Sequence, residues 1–201
     1  MLKVGLTGGL ASGKSFVGNA LADLGCHLIE ADRLGHDVIL PGREAYDDVV
    51  REFGAGILDP DGTINRKRLA AEVFGKPDRL AILNRIVHPP VFRREQALMD
   101  EYERVDPRGI TVVEAAILIE SGSYKRFDRL ILVVCDEALQ LSRAAERGAE
   151  RAEALARIQR QMPATEKKKF ADYVIDTSGS KEETLRQTRV VYDSLRRIEQ
   201  P

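Results

Sequence analysis

Short apolar runs alternate with segments of helical periodicity along most of the chain. Continuous apolar runs rich in β-branched residues are typical of strands that are buried on both faces. These runs predict five strands, at residues 2–6, 26–32, 109–115, 129–135 and 172–177. Helical spacing predicts helices at residues 15–25, 33–40, 43–53, 137–162 and 181–198. Because strands alternate with helices, we expect an α/β fold: a five-stranded parallel sheet with helices on both faces.

One long segment departs from this alternation. Residues 58–105 carry helical periodicity without a strand, interrupted at 75–77 and again at Pro89 and Pro90. We therefore predict a single domain, residues 1–201, with a helical insertion at 58–105 that forms the acceptor side. Its core is expected to comprise residues 1–57, 106–138 and 168–201, and residues 139–167 are expected to form a helical lid.

Composition excludes some classes of function. The 201 residues include 31 basic and 32 acidic side chains, so the net charge of −1 favours neither nucleic acid nor an anionic membrane as a partner. Cys26 and Cys135 lie far apart and the three histidines are scattered, which argues against a zinc site. No run approaches the ~20 apolar residues of a membrane span. We expect a cytoplasmic protein with no nucleic-acid or membrane partner, and a monomer is favoured.

The first strand leads directly into a glycine-rich loop. Gly8, Gly13, Lys14 and Ser15 satisfy the pattern G-x-x-x-x-G-K-[ST], with a strand before it and a helix after it. Glycines let backbone N–H groups converge on phosphate oxygens, and the lysine reaches the β- and γ-phosphates. The pattern predicts ATP as the ligand and Mg²⁺ as the cofactor, with the Ser15 hydroxyl as a metal ligand. The predicted nucleotide-binding residues are Gly8, Gly9, Leu10, Ala11, Ser12, Gly13, Lys14, Ser15 and Phe16.

Other charged residues could complete a phosphoryl-transfer site. Asp32 and Glu114 follow or end strands at the edge that carries the glycine-rich loop, where ligands bind in such folds. Asp32 could position an acceptor hydroxyl, and Glu114 could hold Mg²⁺ through water or orient the acceptor. Arg143 and Arg147 are four residues apart on one predicted helix and could stabilise the transferred phosphoryl group. A surface acid and a helix of surface ion pairs are the alternatives.

The length of the chain and the absence of a guanine-specificity motif narrow the class of phosphoryl-transfer protein. No N-K-x-D segment accompanies the glycine-rich loop, so guanine specificity is not indicated. Helicases and related motor ATPases normally need a longer chain. A small-molecule kinase is the favoured class, and a nucleotide-binding module that changes shape without turnover is the alternative from another class.

Several segments together resemble the dephospho-coenzyme A kinase family. They are "VGLTGGLASGKS", "EADRLGHDV", "DGTINRKRLAAEVF", "LNRIVHPPV", "VVEAAILIESG", "LQLSRAAERG" and "RIQRQMPATEKKKFADYVIDTSGS". The resemblance is collinear over nearly the whole chain. It implies transfer of a phosphoryl group from ATP to the ribose 3′-hydroxyl of dephospho-CoA, which gives CoA and ADP in the last step of coenzyme A synthesis. Another small-molecule or nucleoside monophosphate kinase is the alternative.

The resemblance also implies roles for individual residues. Asp32 matches the acid proposed to activate the 3′-hydroxyl, and Lys14, Arg143 and Arg147 match residues that act on the phosphates. The residues expected to bind or border the acceptor are Asp32, Arg66, His88, Glu114, Glu120, Gln161 and Lys167.

Four positions depart from the family pattern. Glu30 stands where an aspartate is common, and Ala116 stands where a proline is usual. Thr177 stands where the family commonly has an asparagine near the adenine. Pro163 is unusual and could stiffen the lid. None of these positions is in the glycine-rich loop, and none is Asp32.

Overall fold

The structure is a computed structural model that describes residues 1–199. The chain forms two compact units. The first comprises Met1–Glu30 together with the chain from Glu101 onward, and the second is Ala31–Asp100. The helices along the chain are α1 (Lys14–Asp23), α2 (Ala31–Asp37), α3 (Tyr46–Phe53), α4 (Arg66–Val73), α5 (Pro77–Val105), α6 (Glu137–Glu146), α7 (Arg151–Arg160), α8 (Ala164–Lys167) and α9 (Lys181–Glu199).

The first unit contains a five-stranded sheet, and every pair of neighbouring strands is parallel. The spatial order is β2-β3-β1-β4-β5. Its strands are β1 (Leu2–Gly8), β2 (His27–Glu30), β3 (Ile110–Glu114), β4 (Arg129–Val134) and β5 (Tyr173–Asp176). The predicted α/β fold with a five-stranded parallel sheet is confirmed.

The core of the first unit explains the continuous apolar strands. Side chains of β1, β3, β4 and β5 pack with α1 and α9 on one face of the sheet, where Val17, Leu21 and Leu195 are fully buried. On the central strand, Gly5 leaves room for other side chains, because a Cβ there would lie 2.9 Å from Leu130 and Phe127. A strand that packs on both faces has no polar side to present, which removes the usual alternation.

Two element boundaries differ from the sequence prediction. One lies within this unit, and the other lies at Glu30, where the chain passes into the second unit. The predicted helix at 137–162 is two helices, because Gly148 adopts a left-handed φ of 82° after α6 ends. The second strand ends at Glu30 rather than at residue 32, since α2 begins at Ala31. Asp32 therefore lies in the first turn of a helix and not at the end of a strand.

The second unit has its own apolar core. Val38, Val49, Phe53, Ile57 and Leu69 are buried together there, with Val91 of α5 among them. This unit takes in residues 31–57 as well as most of the predicted insertion, because the side chains of α3 pack with those of α4 and α5. The division into core, insertion and lid stays a prediction.

A structured turn leads into α4 of the second unit. Leu58 and Ile64 form an antiparallel bridge, and Gly62 supplies the left-handed φ of 82° that the turn between them needs. Asn65 then caps α4, because its side-chain oxygen accepts from the N–H groups of Lys67 and Arg68, both at 3.0 Å.

The predicted interruption at Pro89 and Pro90 is wrong. Helix α5 runs through both prolines, although each lacks the N–H that the helix would use. The φ that proline imposes is close to the helical value, but each proline removes one hydrogen bond and its ring crowds the carbonyl group of the residue four positions before it. Burial of Pro90 and Val91 offsets that loss. The interruption predicted at 75–77 is confirmed, with α4 ending at Val73 and α5 beginning at Pro77. Within residues 1–199, none of the helices combines the length and apolar character needed to span a membrane.

Candidate active site

The glycine-rich loop connects β1 to α1 at the carboxyl edge of the sheet. Gly13 immediately precedes α1 with φ 88° and ψ 15°, a left-handed conformation that favours glycine. Gly8 is equally constrained, since a Cβ there would lie 2.4 Å from the carbonyl oxygen of Val133. The N–H groups of the first turn of α1 have no acceptor within the helix and point out of its N-terminus. This geometry suits a bound anion.

Lys14 and Ser15 open helix α1 with different partners. The Lys14 ammonium folds back over the loop and donates to the carbonyl oxygens of Gly8 and Gly9, both at 3.1 Å. The Ser15 hydroxyl donates to Glu114 Oε1 at 2.8 Å. Glu114 is 7% exposed at the end of β3. The structure thus brings together three residues that the sequence predicted for this edge.

A second carboxylate belongs to the same edge. Glu30, the first of the four departures, ends β2 and is in register with Glu114 of β3. Residues in register on neighbouring parallel strands face the same side of the sheet. The edge next to the loop therefore has two acidic side chains and the Ser15 hydroxyl, all of which offer oxygen atoms.

Thr177 and Arg143 support the loop from the opposite side. The buried Thr177 hydroxyl donates to the carbonyl oxygen of Ser12 at 2.7 Å. Arg143 of α6 donates from Nη1 to the Thr177 hydroxyl at 2.9 Å and from Nη2 to its carbonyl at 2.8 Å. Arg147 lies exposed at the C-terminus of α6. The two arginines predicted to act together thus have different surroundings, and their catalytic roles stay predictions.

Three residues predicted to bind the acceptor bond to the protein itself. The Lys167 ammonium lies 2.8 Å from Glu120 Oε1, and the lysine side chain is only 2% exposed. The same carboxylate oxygen accepts from the Met162 N–H at 3.3 Å. Gln161 Oε1 accepts from the N–H of Leu10 at 2.9 Å. These contacts give each of the three a supporting role within the fold, whatever else it binds.

A cavity of about 410 Å³ adjoins the loop in the first unit. It is bordered by the end of β4, by α6 and by the segment that joins α7 to α8. Its lining includes Gly9, Cys135, Gln140, Gln161, Pro163 and Lys167. Pro163 precedes α8, and its carbonyl accepts from the N–H groups of Glu166 and Lys167. Burial raises the pKa of the Cys135 thiol, so this thiol stays protonated at neutral pH.

The remaining predicted residues belong to the second unit. Asp32 is exposed in the first turn of α2. Arg66, at the start of α4, donates from Nη2 to His36 Nε2 at 2.6 Å. A guanidinium can only donate, so this ring nitrogen is an acceptor and His36 is neutral. Burial lowers the pKa of His36, the Arg66 charge lowers it further, and the nearby Asp32 carboxylate opposes them.

His88 is partly buried and lies next to an aromatic ring. Its ring lies in the middle of α5 at 5.7 Å from that of Phe92, and burial lowers its pKa. The predicted contact of His88 with the acceptor stays a prediction.

Comparison with known proteins places this geometry in a family. The family model described as dephospho-CoA kinase matches residues 2–183. The chain belongs to the dephospho-CoA kinase family. A dephospho-CoA kinase of Aquifex aeolicus is 39% identical over 197 residues, which covers 98% of this chain and 99% of the relative.

Solved structures agree with the fold of the dephospho-CoA kinase family. The crystal structure of TT1252 from Thermus thermophilus superposes with a TM-score of 0.81 at 31% identity, and it covers 96% of this chain and 97% of its own. A dephospho-CoA kinase from Campylobacter jejuni superposes with a TM-score of 0.71 at 24% identity and covers 97% of both chains, which supports the fold alone.

In this dephospho-CoA kinase family member, three side chains hold predicted residues in a way that the sequence did not indicate. Gln140 donates to the loop carbonyl of Leu10, and the hydroxyl of Thr177 holds Ser12. His36 holds Arg66. Gln140 is buried on α6, with 9% of the residue exposed. Its role could be inferred only once the structure showed which face of this mostly polar helix is buried.

Proposed function

We propose that this chain transfers the γ-phosphoryl group of ATP to the ribose 3′-hydroxyl of dephospho-CoA, giving CoA and ADP. The observation that carries the proposal is the loop itself, with Lys14 folded over its carbonyls and Ser15 bonded to Glu114, in a chain of the dephospho-CoA kinase family. Phosphoryl transfer needs positioning and charge stabilisation more than covalent chemistry, and this arrangement suits both.

The loop would bind the phosphates through backbone and side chain. The first-turn N–H groups of α1 and the left-handed Gly13 would form the part of the site that surrounds the phosphates. Lys14 would move its ammonium from the carbonyls of Gly8 and Gly9 to the β- and γ-phosphates. These carbonyls already hold the Lys14 ammonium beside the loop, so binding of the phosphates would restrict the lysine side chain only a little further.

The oxygen donors near Ser15 fit Mg²⁺. This ion prefers hard oxygen ligands and commonly takes one or two from the protein, with the rest from phosphates and water. The Ser15 hydroxyl would be a direct ligand, and Glu114, which already accepts from that hydroxyl, would hold its orientation. When bound with the nucleotide, the ion would neutralise charge on the β- and γ-phosphates.

Asp32 would position and deprotonate the acceptor hydroxyl. Its carboxylate would accept a hydrogen bond from the 3′-hydroxyl, fix the direction of attack and take the proton late in the transfer. Arg143 and Arg147 would stabilise the charge that spreads over the transferred group. Arg66, held by His36, would bind an anionic part of the acceptor.

The experiment is an ADP-release assay with ATP, Mg²⁺ and a panel of acceptors. We expect dephospho-CoA to stimulate ADP release, and nucleoside monophosphates and sugar acids to leave it near the background rate. Another small-molecule kinase would respond to a different acceptor, and a nucleotide-dependent switch to none of them. No stimulation by dephospho-CoA would overturn the proposal.

A matched pair of variants tests the role of Asp32 separately. Asp32→Asn should lower kcat by roughly 10²- to 10⁴-fold while the Kd of ATP changes by less than about 2-fold. Asp47→Asn is the control, because Asp47 is also an exposed aspartate in the first turn of a helix. Near-normal turnover of Asp32→Asn would remove the proposed role and leave the overall reaction standing.

A further inference from the structure

Two glutamines hold the backbone of one residue of the glycine-rich loop, Leu10, through its N–H and through its carbonyl. The N–H of Leu10 donates to Gln161 Oε1 at 2.9 Å, and Gln140 Nε2 donates to the carbonyl oxygen of Leu10, also at 2.9 Å. Gln140 lies on α6 and Gln161 directly follows α7. Both backbone groups of a single residue are therefore fixed by side chains that lie far along the chain.

The residue that they hold, Leu10, precedes a residue with strained backbone. Ala11 has a φ of 52°, the one positive φ at a non-glycine position within residues 1–199. An L-residue in this region is disfavoured by roughly 1–2 kcal/mol relative to ordinary backbone. Such a conformation persists only where the surroundings impose it. The two glutamines impose it on one side of Ala11.

Apolar packing imposes it on the other side. The Ala11 side chain is 8% exposed and is buried with Leu141 and Ala144 of α6 and Ala154 of α7. The helices that the sequence assigned to the lid are thus seated directly on the loop. A Cβ at Gly9 would lie 2.5 Å from Gln140 Nε2, so a larger residue there would displace the end of the Gln140 side chain.

We infer that Gln140 and Gln161 are positioning residues that act through the backbone N–H and carbonyl of Leu10 to keep the loop in its phosphate-binding shape before nucleotide arrives. One polar atom of each glutamine is engaged with the Leu10 backbone, Gln161 Oε1 with its N–H and Gln140 Nε2 with its carbonyl. The inference rests on the proposed function in one respect: the bound group is taken to be the phosphates of a nucleoside triphosphate. A loop that is already shaped does not spend binding free energy on ordering.

The inference is tested by nucleotide binding in the absence of an acceptor. Gln140→Met and Gln161→Met remove the hydrogen-bonding atoms and keep the length of the side chain. Each should raise the Kd of Mg·ATP by roughly 5-fold, and the double variant by roughly 30-fold, as expected for the loss of one and of two ordinary hydrogen bonds. Isothermal titration calorimetry on the full chain measures these values, and Gln96→Met, at an exposed glutamine of α5, is the control.

Charge-matched variants separate positioning from a general loss of packing. Gln161→Glu keeps an oxygen that can accept from the Leu10 N–H, whereas Gln140→Glu places an oxygen against the Leu10 carbonyl. Because both changes add the same charge, Gln161→Glu should bind ATP several-fold more tightly than Gln140→Glu. In the ADP-release assay, Gln140→Met should raise the KM for ATP and change kcat at saturating ATP by less than about 2-fold.

Exchange of the Leu10 amide gives a readout without any nucleotide. Its exchange with deuterium should be faster in Gln161→Met than in wild type and unchanged in Gln96→Met. The inference is overturned if the two glutamate variants bind equally or in the reverse order, or if the methionine variants lower the Tm while the Kd of ATP stays at the wild-type value. A wild-type chain that binds no ATP would overturn the proposed function instead, and binding without dephospho-CoA turnover would leave this test intact.

Discussion

The buried ion pair between Lys167 and Glu120 should respond unequally to loss of its two partners. The lysine side chain is 2% exposed and the glutamate side chain is 22% exposed, with 2.8 Å between Nζ and Oε1. Glu120→Leu would leave an ammonium with no counter-charge in a nearly dry site. Lys167→Met would leave a carboxylate that still accepts from the Met162 N–H and reaches water.

The expected sizes follow from this difference in exposure. Loss of one partner from a buried pair costs about 3–5 kcal/mol of unfolding free energy, and the flexible lysine stem places Glu120→Leu near 3 kcal/mol. Solvent screening of Glu120 brings Lys167→Met down to about 1 kcal/mol. The double variant should also lose about 1 kcal/mol, which is well below the sum of the single losses, because two apolar side chains then face each other.

Urea unfolding of the three variants, followed by circular dichroism, measures these differences in unfolding free energy. The m-value should be the same for all variants, so that a shift of the midpoint reports a change in stability. The control is the exposed pair Lys169 and Glu166, where Lys169→Met and Glu166→Leu should each stay within about 0.5 kcal/mol of wild type. Equal losses for the two buried single variants, or an additive double variant, would refute the argument from burial.

Three smaller perturbations test local contacts. Asn65→Ala removes the cap of α4 and should lower the unfolding free energy by about 1 kcal/mol in urea, whereas Asn65→Ser should lose less. The His36 ring should titrate below 6.5 by NMR, and Arg66→Leu should raise its pKa toward that value. Since the folded-state pKa is lowered, the stability from neutral His36 is complete above pH 6.5 and is lost as the pH falls. Burial raises the pKa of Cys26 to about 12, so this thiol should react with a disulfide reagent at neutral pH only after unfolding. The stability that it contributes is present below pH 9.0, the ordinary value, and is lost as the pH rises toward 12.

Each of these has a clear contrary outcome. Equal losses for Asn65→Ala and Asn65→Ser would show that the cap contributes little. A His36 pKa that does not move when Arg66 is replaced would show that the guanidinium does not contact the ring in solution. Modification of Cys26 in the folded protein at the rate of an open thiol would contradict its burial.

Features set by local chemistry were predicted from the sequence. The strand, the glycine-rich loop and α1 were identified because Gly13, Lys14 and Ser15 have a fixed spacing and a local reason for it. The break before Pro77 was identified for the same kind of reason, since Gly75 and Pro77 interrupt helices within a few residues.

Features set by contacts between distant segments were not predicted. Helix α5 passes through Pro89 and Pro90 because burial of the second proline outweighs a local preference that the sequence shows plainly. The roles of Gln140 and Thr177 depend on partners 130 and 165 residues away, and no short-range pattern marks them. Which residues meet across the fold depends on the topology of the chain. The hydrophobic periodicity of a sequence carries no information about topology.

The strand order has a consequence for how the protein is made. Strand β1 is synthesised first, yet its neighbours in the sheet are β3 and β4, which begin at Ile110 and Arg129. More than half of the chain must therefore be synthesised before β1 has a strand to pair with. Thr177 must also emerge before its hydroxyl can donate to the carbonyl of Ser12 in the loop that follows β1. Competence to bind nucleotide should appear late and abruptly on the ribosome, as expected for a sheet built from distant contacts.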